Sequence, residues 1–327
     1  MTTLLFNDED KGFGPDPNFF YLTRTNLDNS IALITKNKKF IFTSKLNENK
    51  IKAIKSKFKI FALDFGSTIK ILKKYIYKKK VGLDFSAVSV SRFSKLKKIF
   101  KIKPFDISKK VQKLRMIKSE KEIKNIQKAV RLTKKVFFEL EDKIKPNLTE
   151  IDIVKMLKSK AIELNCPIAF EPIVAADNSS INPHHTSTRK KIQNFILIDF
   201  GLKYNNYCSD LTRCFFFSNS KTQREYYNLA KTIFFESLKI LKKSKTTSEF
   251  NKKVFELLAE YKWKDMPHSI GHGIGLEVHE LPFFSKKSIH KLKKGMVIAL
   301  EPSWYGKKFG VRFEEDVLIT KNGIKII

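Results

Sequence analysis

Cysteine is scarce: Cys166, Cys208 and Cys214 are the only three in 327 residues. They form no CxxC pair and no even framework, so a disulfide scaffold and a cysteine-built zinc site are both unexpected. The set suits a reducing compartment. No apolar run approaches membrane-spanning length. Asp8, Glu9 and Asp10 stand where a secretory leader needs a basic start and an apolar stretch. A cytoplasmic protein with no membrane partner is therefore expected. Arginine is scarce too: 8 of the 65 basic residues, which leaves 57 lysines. Against 33 acidic residues this gives a formal net charge of +32. Such a charge invites nucleic acid. The planar fork of arginine is the usual reader of bases and phosphates, however. The lysines are spread over nearly the whole chain and alternate with Ile, Phe and Leu at helical spacing, as on solvated faces. No specific nucleic-acid partner is expected, and any association should be weak and lost steeply with salt. A Walker loop, a GxGxxG turn and a G-x-S-x-G elbow are missing as well.

Hydrophobic content is 42%, and the length allows two domains. Residues 1–108 read as mixed α/β. The apolar runs Ile31–Ile34, Phe40–Phe42, Ile60–Leu63 and Val81–Leu83 look like short strands, with Lys-rich stretches of helical spacing between them. Pro104, Asp106 and Ser108 suggest a boundary, and nothing before it forms a catalytic constellation. Ser119 with Glu122 is a capping box that opens a helix, and Thr149 with Asp152 opens a second one, to about Leu164. A buried strand follows at Phe195–Ile198. Asn205-Asn206 is a turn signal, and Tyr207–Phe217 is the return strand. The order then repeats: helices over about 222–243 and 248–261, a strand Met296–Leu300, and a strand Val311–Thr320. Glu301 follows Asp199 by 102 residues, and Glu314 follows Asp210 by 104. Matching order at a matching offset suggests an internal duplication, with a site between two hairpins.

A carboxylate at the end of a buried strand is costly unless it is paired or binds a cation. Asp199 is one. If Asn205-Asn206 is a two-residue turn, Gly201 pairs with Asp210, and Asp199 becomes its diagonal neighbour on one sheet face. The alternative has Asp199 capping the strand and Asp210 pairing with Arg213. Glu301 and Glu314 repeat the situation. Alternation puts Arg312, Glu314 and Asp316 on one face and Glu315 on the other. Five of the six histidines fall in two places, His184-His185 and the segment His268, His272, His279. Gly271, Gly273 and Gly275 argue against a helix there, and the Glu of HExxH is missing. An extended glycine-rich strand fits better. Four carboxylates with one imidazole suit Mn²⁺, Co²⁺, Fe²⁺ or Zn²⁺, in pairs about 3.5–4 Å apart.

The segments Ile198–Gly201, Ser209–Arg213, His272–Glu280, Gly295–Val297 with Glu301-Pro302, and Gly310–Glu314 resemble the pita-bread metallopeptidases, and within them the Xaa-Pro peptidases, aminopeptidase P and prolidase. The resemblance implies an α/β (α+β) fold: a creatinase-like N-terminal domain over 1–108 and a pseudo-two-fold pita-bread catalytic domain over 109–327. It implies two divalent metal ions, manganese first, with cobalt, iron or zinc as alternatives. Asp199 would bind one ion, His272 and Glu301 the other, and Asp210 and Glu314 would bridge. His184 and His279 would hydrogen-bond the substrate and the developing tetrahedral centre, and Glu301 would relay a proton. His268 would line the substrate pocket, and Arg312 would orient carboxylates. His185 competes with His184, and the motif position favours His184. Short peptides with proline second are the implied substrates, and a homodimer the implied assembly. The sequence departs from the pattern at Gln193–Phe195 and at Ser303-Trp304, without losing a ligand. A methionine aminopeptidase remains an alternative, although the extra domain and His268 favour the proline-directed branch. A binding module without catalysis is the other alternative, disfavoured because all five ligands are present.

Overall fold

The computed structural model describes residues 2–8, 15–217, 220–263, 266–285 and 288–327, so Glu9 and Asp10 lie outside the described residues. The chain divides into two compact units, Met1–Arg115 and Met116–Ile327.

The first unit contains β1 (Thr2–Asn7), α1 (Pro17–Thr23), β2 (Ser30–Ile34), β3 (Lys39–Thr43), α2 (Glu48–Lys52), β4 (Lys59–Ala62), α3 (Phe65–Ile76), β5 (Lys80–Leu83), α4 (Val90–Phe100), β6 (Lys103–Asp106) and α5 (Ser108–Arg115). The four apolar runs are indeed strands. They join β1 and β6 in one mixed sheet of order β4-β3-β2-β1-β5-β6. Successive residues point to opposite faces. Leu4, Leu33, Phe42 and Val81 pack under Leu72, Ile76, Leu96 and Phe100 of α3 and α4. Leu5, Ala32 and Ile41 pack on the other side with Phe19 of α1 and Val111 of α5. Both faces are covered, which is why these strands read as continuous apolar runs. The boundary differs from 108: Val111 belongs to the first unit's core, and Arg115 donates to Asn18 Oδ1 at 2.8 Å. The unit therefore keeps α5.

The second unit opens with α6 (Glu120–Glu141) and α7 (Glu150–Glu163), and both capping boxes are formed. Next come β7 (Ile173–Ala176), β8 (Phe195–Phe200), β9 (Lys203–Tyr204), β10 (Tyr207–Cys208) and β11 (Leu211–Phe216), followed by α8 (Lys221–Lys243) and α9 (Thr247–Glu260). The chain ends with β12 (Gly271–Gly273), β13 (Glu280–Phe283), β14 (Val297–Leu300), β15 (Ser303–Tyr305), β16 (Gly310–Arg312), β17 (Glu315–Ile319) and β18 (Ile324–Ile326). One sheet has the order β11-β8-β7 and another β13-β12-β14-β17-β18. Phe195 and Leu197 of the first sheet share one core with Ile298 and Leu300 of the second and with Phe234 and Phe250 of α8 and α9. The repeat is visible in the backbone. Thr149, which caps α7, bridges to Lys191, and Thr246, which caps α9, bridges to Lys291. Among the described residues no helix is long and apolar enough to cross a membrane.

The first hairpin keeps the register its turn implies. Asn205 and Asn206 both take positive φ, and Tyr204 faces Tyr207. Phe200 then faces Leu211, and Asp199 faces Thr212. The return strand is interrupted at Ser209 and Asp210. The second hairpin differs from the single strand expected over Val311–Thr320. β16 pairs with β15, β17 pairs with β14, and the chain changes partner across Phe313-Glu314. Gly201 shows how closely the first hairpin is built: a Cβ there would lie 1.9 Å from the Ser209 carbonyl oxygen. Gly201→Ala should therefore destabilise the protein by about 2 kcal/mol, as overpacking does. Thermal denaturation checks this, and a variant that melts at the wild-type temperature contradicts the packing described.

Candidate metal centre

Each proposed ligand is placed by a short, apolar-flanked element. Asp199 lies in β8 among Ile196, Leu197, Ile198 and Phe200, all buried. Asp210 stands at the interruption between β10 and β11. His272 is the middle residue of β12, wedged between β13 and β14. Gly273 permits that wedge, since a Cβ there would lie 2.4 Å from the Leu281 carbonyl oxygen. Glu301 directly follows β14, and Glu314 stands where the chain changes partner between β16 and β17.

All five line one cavity of about 670 Å³, together with His184, His185, His268, His279 and Arg312. One oxygen each from Asp199, Asp210 and Glu314 lie within 4.8 Å of one another, and Asp210, His272 and His279 form a second such group. His272 Nε2 is 3.7 Å from Asp210 Oδ2 and 3.8 Å from Glu301 Oε1. The His272 and His279 rings meet edge to face at 4.2 Å. Oδ1 of Asp199 and Oδ1 of Asp210 are buried and receive no hydrogen bond from any described residue.

The unlike groups around this cluster are engaged. Arg312, 2% exposed, donates Nη2 to Asp199 Oδ2 at 2.7 Å, Nη1 to the Tyr305 hydroxyl at 3.0 Å and Nε to the Thr212 hydroxyl oxygen at 3.0 Å. Thr212 in turn donates to Glu314 Oε2 at 2.6 Å. The Asp210 backbone N–H donates to Asp316 Oδ2 at 3.1 Å. His268 Nδ1 is 3.5 Å from Glu301 Oε2, and its Nε2 lies 3.3 Å from the Tyr305 hydroxyl. Arg213 pairs with Glu315 and not with Asp210, which removes the alternative reading of that carboxylate. Glu315 also meets Lys134 at 2.9 Å, on the side away from the cavity. His185 is drawn to Glu150 at 2.8 Å, which leaves His184 as the exposed member of that pair.

Sequence reasoning missed Thr212 and Tyr305 and gave Asp316 a face but no role. Thr212 alternates with Asp210 on the return strand, which is a usable signal. Tyr305 carries none, because its partners are set by tertiary contact. Asp316 was placed on the face of Glu314 by alternation, but its role as acceptor for the Asp210 backbone is not local.

The electrostatics fit a cation. Burial first, then the charges of Glu314 and Asp199, hold the Asp210 carboxyl well above its ordinary range. Burial, Asp199 and Glu301 do the same to Glu314. Burial pushes Glu301 up to about 8, against the opposing pull of Arg312. The imidazoles move the other way: burial, then His279, takes His272 down to about 3, and burial takes His268 down to about 4. Carboxylates that resist ionisation, two orphaned carboxylate oxygens and a neutral imidazole are what a divalent cation satisfies. Cation binding must then displace protons. Raised carboxyl values mean that the protons are bound below about pH 8 and absent above it, at least for Glu301. Titrating metal-stripped protein with Mn²⁺ in weak buffer should release protons at pH 6.5 and fewer at pH 9. Equal release at both values would contradict the charge balance described.

Residues 124–321 match the model of metallopeptidase family M24, and residues 4–117 match the creatinase/prolidase N-terminal domain. An uncharacterized peptidase of Staphylococcus epidermidis is 32% identical over 76% of this chain and 73% of its own length. The Xaa-Pro dipeptidase of Pyrococcus furiosus is 32% identical over 85% of this chain and 79% of its own. The crystal structure of X-Pro aminopeptidase from Thermotoga maritima superposes with a TM-score of 0.91 at 30% identity, covering 99% of this chain and 94% of that one. Two domain matches in order along the chain and structural likeness over 99% of it converge: the chain belongs to metallopeptidase family M24, with a creatinase/prolidase N-terminal domain ahead of the catalytic one.

Proposed function

We propose that this protein is a metal-dependent exopeptidase that hydrolyses the bond between an N-terminal residue and a following proline. The observation that carries the reading is the close set Asp199, Asp210 and Glu314 in a cavity that also exposes His184, His268 and His279. Relatives and structural neighbours named Xaa-Pro dipeptidase and X-Pro aminopeptidase support the specificity.

Asp199 is assigned to one divalent ion, and His272 with Glu301 to a second. Asp210 and Glu314 would contribute to holding both. Manganese is the first choice, with cobalt, iron or zinc as alternatives. Such a pair supplies Lewis-acid polarisation of the scissile carbonyl and makes water acidic enough to attack near neutral pH. The side chains do the rest. Arg312 holds Asp199 through one nitrogen and Glu314 through the Thr212 hydroxyl, so both carboxylates keep fixed orientations. His279, beside His272 and with its imidazole held below its usual range by desolvation within the cavity, donates a hydrogen bond to the oxygen that gains charge. His184 lines the same cavity and binds the substrate carbonyl. Glu301 carries the proton to the leaving imino nitrogen. His268, held by the Ser269 carbonyl at Nδ1 and the Tyr305 hydroxyl at Nε2, borders the space for the proline ring. The reading takes the enzyme as cytoplasmic and homodimeric, with peptides and not nucleic acid as its partners.

Ala-Pro and Ala-Pro-Ala should be cleaved in the presence of Mn²⁺, and Ala-Ala-Ala should be cleaved poorly. His279→Ala should lower turnover about 100-fold, the usual loss for a positioned proton donor, with metal content near wild type. Ready cleavage of Met-Ala-Ser, with proline peptides left intact, would replace this specificity by that of a methionine aminopeptidase.

A further inference from the structure

One carboxylate outside the proposed ligand set is fully buried and fully engaged. Glu150, the first residue of α7, is 0% exposed. Its Oε1 accepts the Ala176 backbone N–H at 2.9 Å. Its Oε2 accepts the Thr188 N–H at 2.7 Å and the Thr188 hydroxyl at 2.8 Å, and lies 2.8 Å from His185 Nε2. An ionised carboxylate only accepts, so Nε2 of His185 carries the proton. Burial pushes the Glu150 carboxyl up, but the hydrogen bonds from His185, Ala176 and Thr188 outweigh it and hold the group below its usual range. The segment gathered in this way carries His184 and His185 on the cavity wall. Ser187 ties the same segment to β7, its hydroxyl donating to the Val174 carbonyl at 3.2 Å.

The second half of the domain shows that the architecture does not require a carboxylate here. The Glu150 N–H donates to the Lys190 carbonyl at 3.0 Å, and the Thr247 N–H donates to the His290 carbonyl at 2.9 Å. With the bridges of Thr149 and Thr246, this places Glu150 and Thr247 at equivalent stations. Thr247 is also 0% exposed, and a neutral hydroxyl suffices there: it donates to the Ser288 carbonyl at 2.9 Å and accepts the His290 N–H at 3.0 Å. The halves differ in what the docked segment does. In the first half it supplies imidazoles to the cavity, and in the second none of the described residues 288–291 lines it.

We propose that Glu150 is a positioning residue that holds the His184–Thr188 segment so that His184 faces the substrate, with His185 as part of the clamp and not a substrate-binding group. This rests on the reading in which His184 serves the substrate. The metal ligands lie on other elements, so a loosened segment should cost turnover and leave metal binding intact.

A double-mutant cycle tests it on the holoenzyme, with Ala-Pro-Ala as substrate. Glu150→Gln should lower kcat by roughly 10- to 100-fold, as small misplacements of an active-site group do. Metal content should stay unchanged, and KM should stay within about threefold. In a His184→Ala background the same change should cost less than about threefold, because the group it acts through is already gone. Equal losses in both backgrounds, or no loss in the first, would overturn the proposal. Should Glu150→Gln fail to fold, Glu150→Thr (the second half's own solution) and the nearly isosteric Thr188→Val allow the same comparison. If the wild type ignores proline peptides, the specificity assigned above is wrong, and the cycle is read on whichever peptide it does cleave.

Discussion

Four carboxylates, those of Asp199, Asp210, Glu301 and Glu314, share one largely buried cavity, with three of them inside 4.8 Å of one another. Like charges at such separations repel by about 3–4 kcal/mol per pair, even at the effective dielectric typical of protein sites. Arg312 offsets part of this and is itself fully committed to Asp199, Thr212 and Tyr305. The remainder must be met by protons or by cations. Burial first, and this mutual repulsion after it, displaces Asp210, Glu301 and Glu314 upward, while burial and the neighbouring His279 keep His272 neutral.

The duplicated architecture answers it by letting each half hold the other's carboxylates. Arg312 of the second hairpin grips Asp199 of the first. Thr212 of the first donates to Glu314 of the second. Asp316 of the second accepts the backbone N–H of Asp210. Removing any one of these leaves a buried acceptor or donor without a partner, which costs more than a typical hydrogen bond contributes. These cross-links between the two hairpins hold the proposed ligands in place through ordinary strand register.

Much of this was legible in the sequence wherever the determinant is local. Two asparagines suited to left-handed backbone set the first hairpin's register and so brought Asp199 beside Asp210. Ser119 with Glu122 and Thr149 with Asp152 marked their helix starts, because a capping box is closed within four residues. The clustered histidines and glycines marked β12 and its flanks. Features set by distant partners were not legible. The break at Phe313-Glu314 arises because β16 and β17 pair with different strands. Tyr305 earns its place only through Arg312 and His268. Val111 belongs to the first unit through packing, so α5 stayed hidden behind a Pro-containing boundary signal. Thr2–Asn7 gives no strong periodic signal, yet pairs with strands on both sides.

The central claim is that the clustered carboxylates and His272 form a two-cation site. The most direct measurement is anomalous diffraction from crystals equilibrated with Mn²⁺. The account predicts two peaks flanked by Asp210 and Glu314, one beside Asp199 and the other beside His272 and Glu301. Peaks elsewhere, or a cavity that stays free of anomalous signal at saturating Mn²⁺, would contradict it.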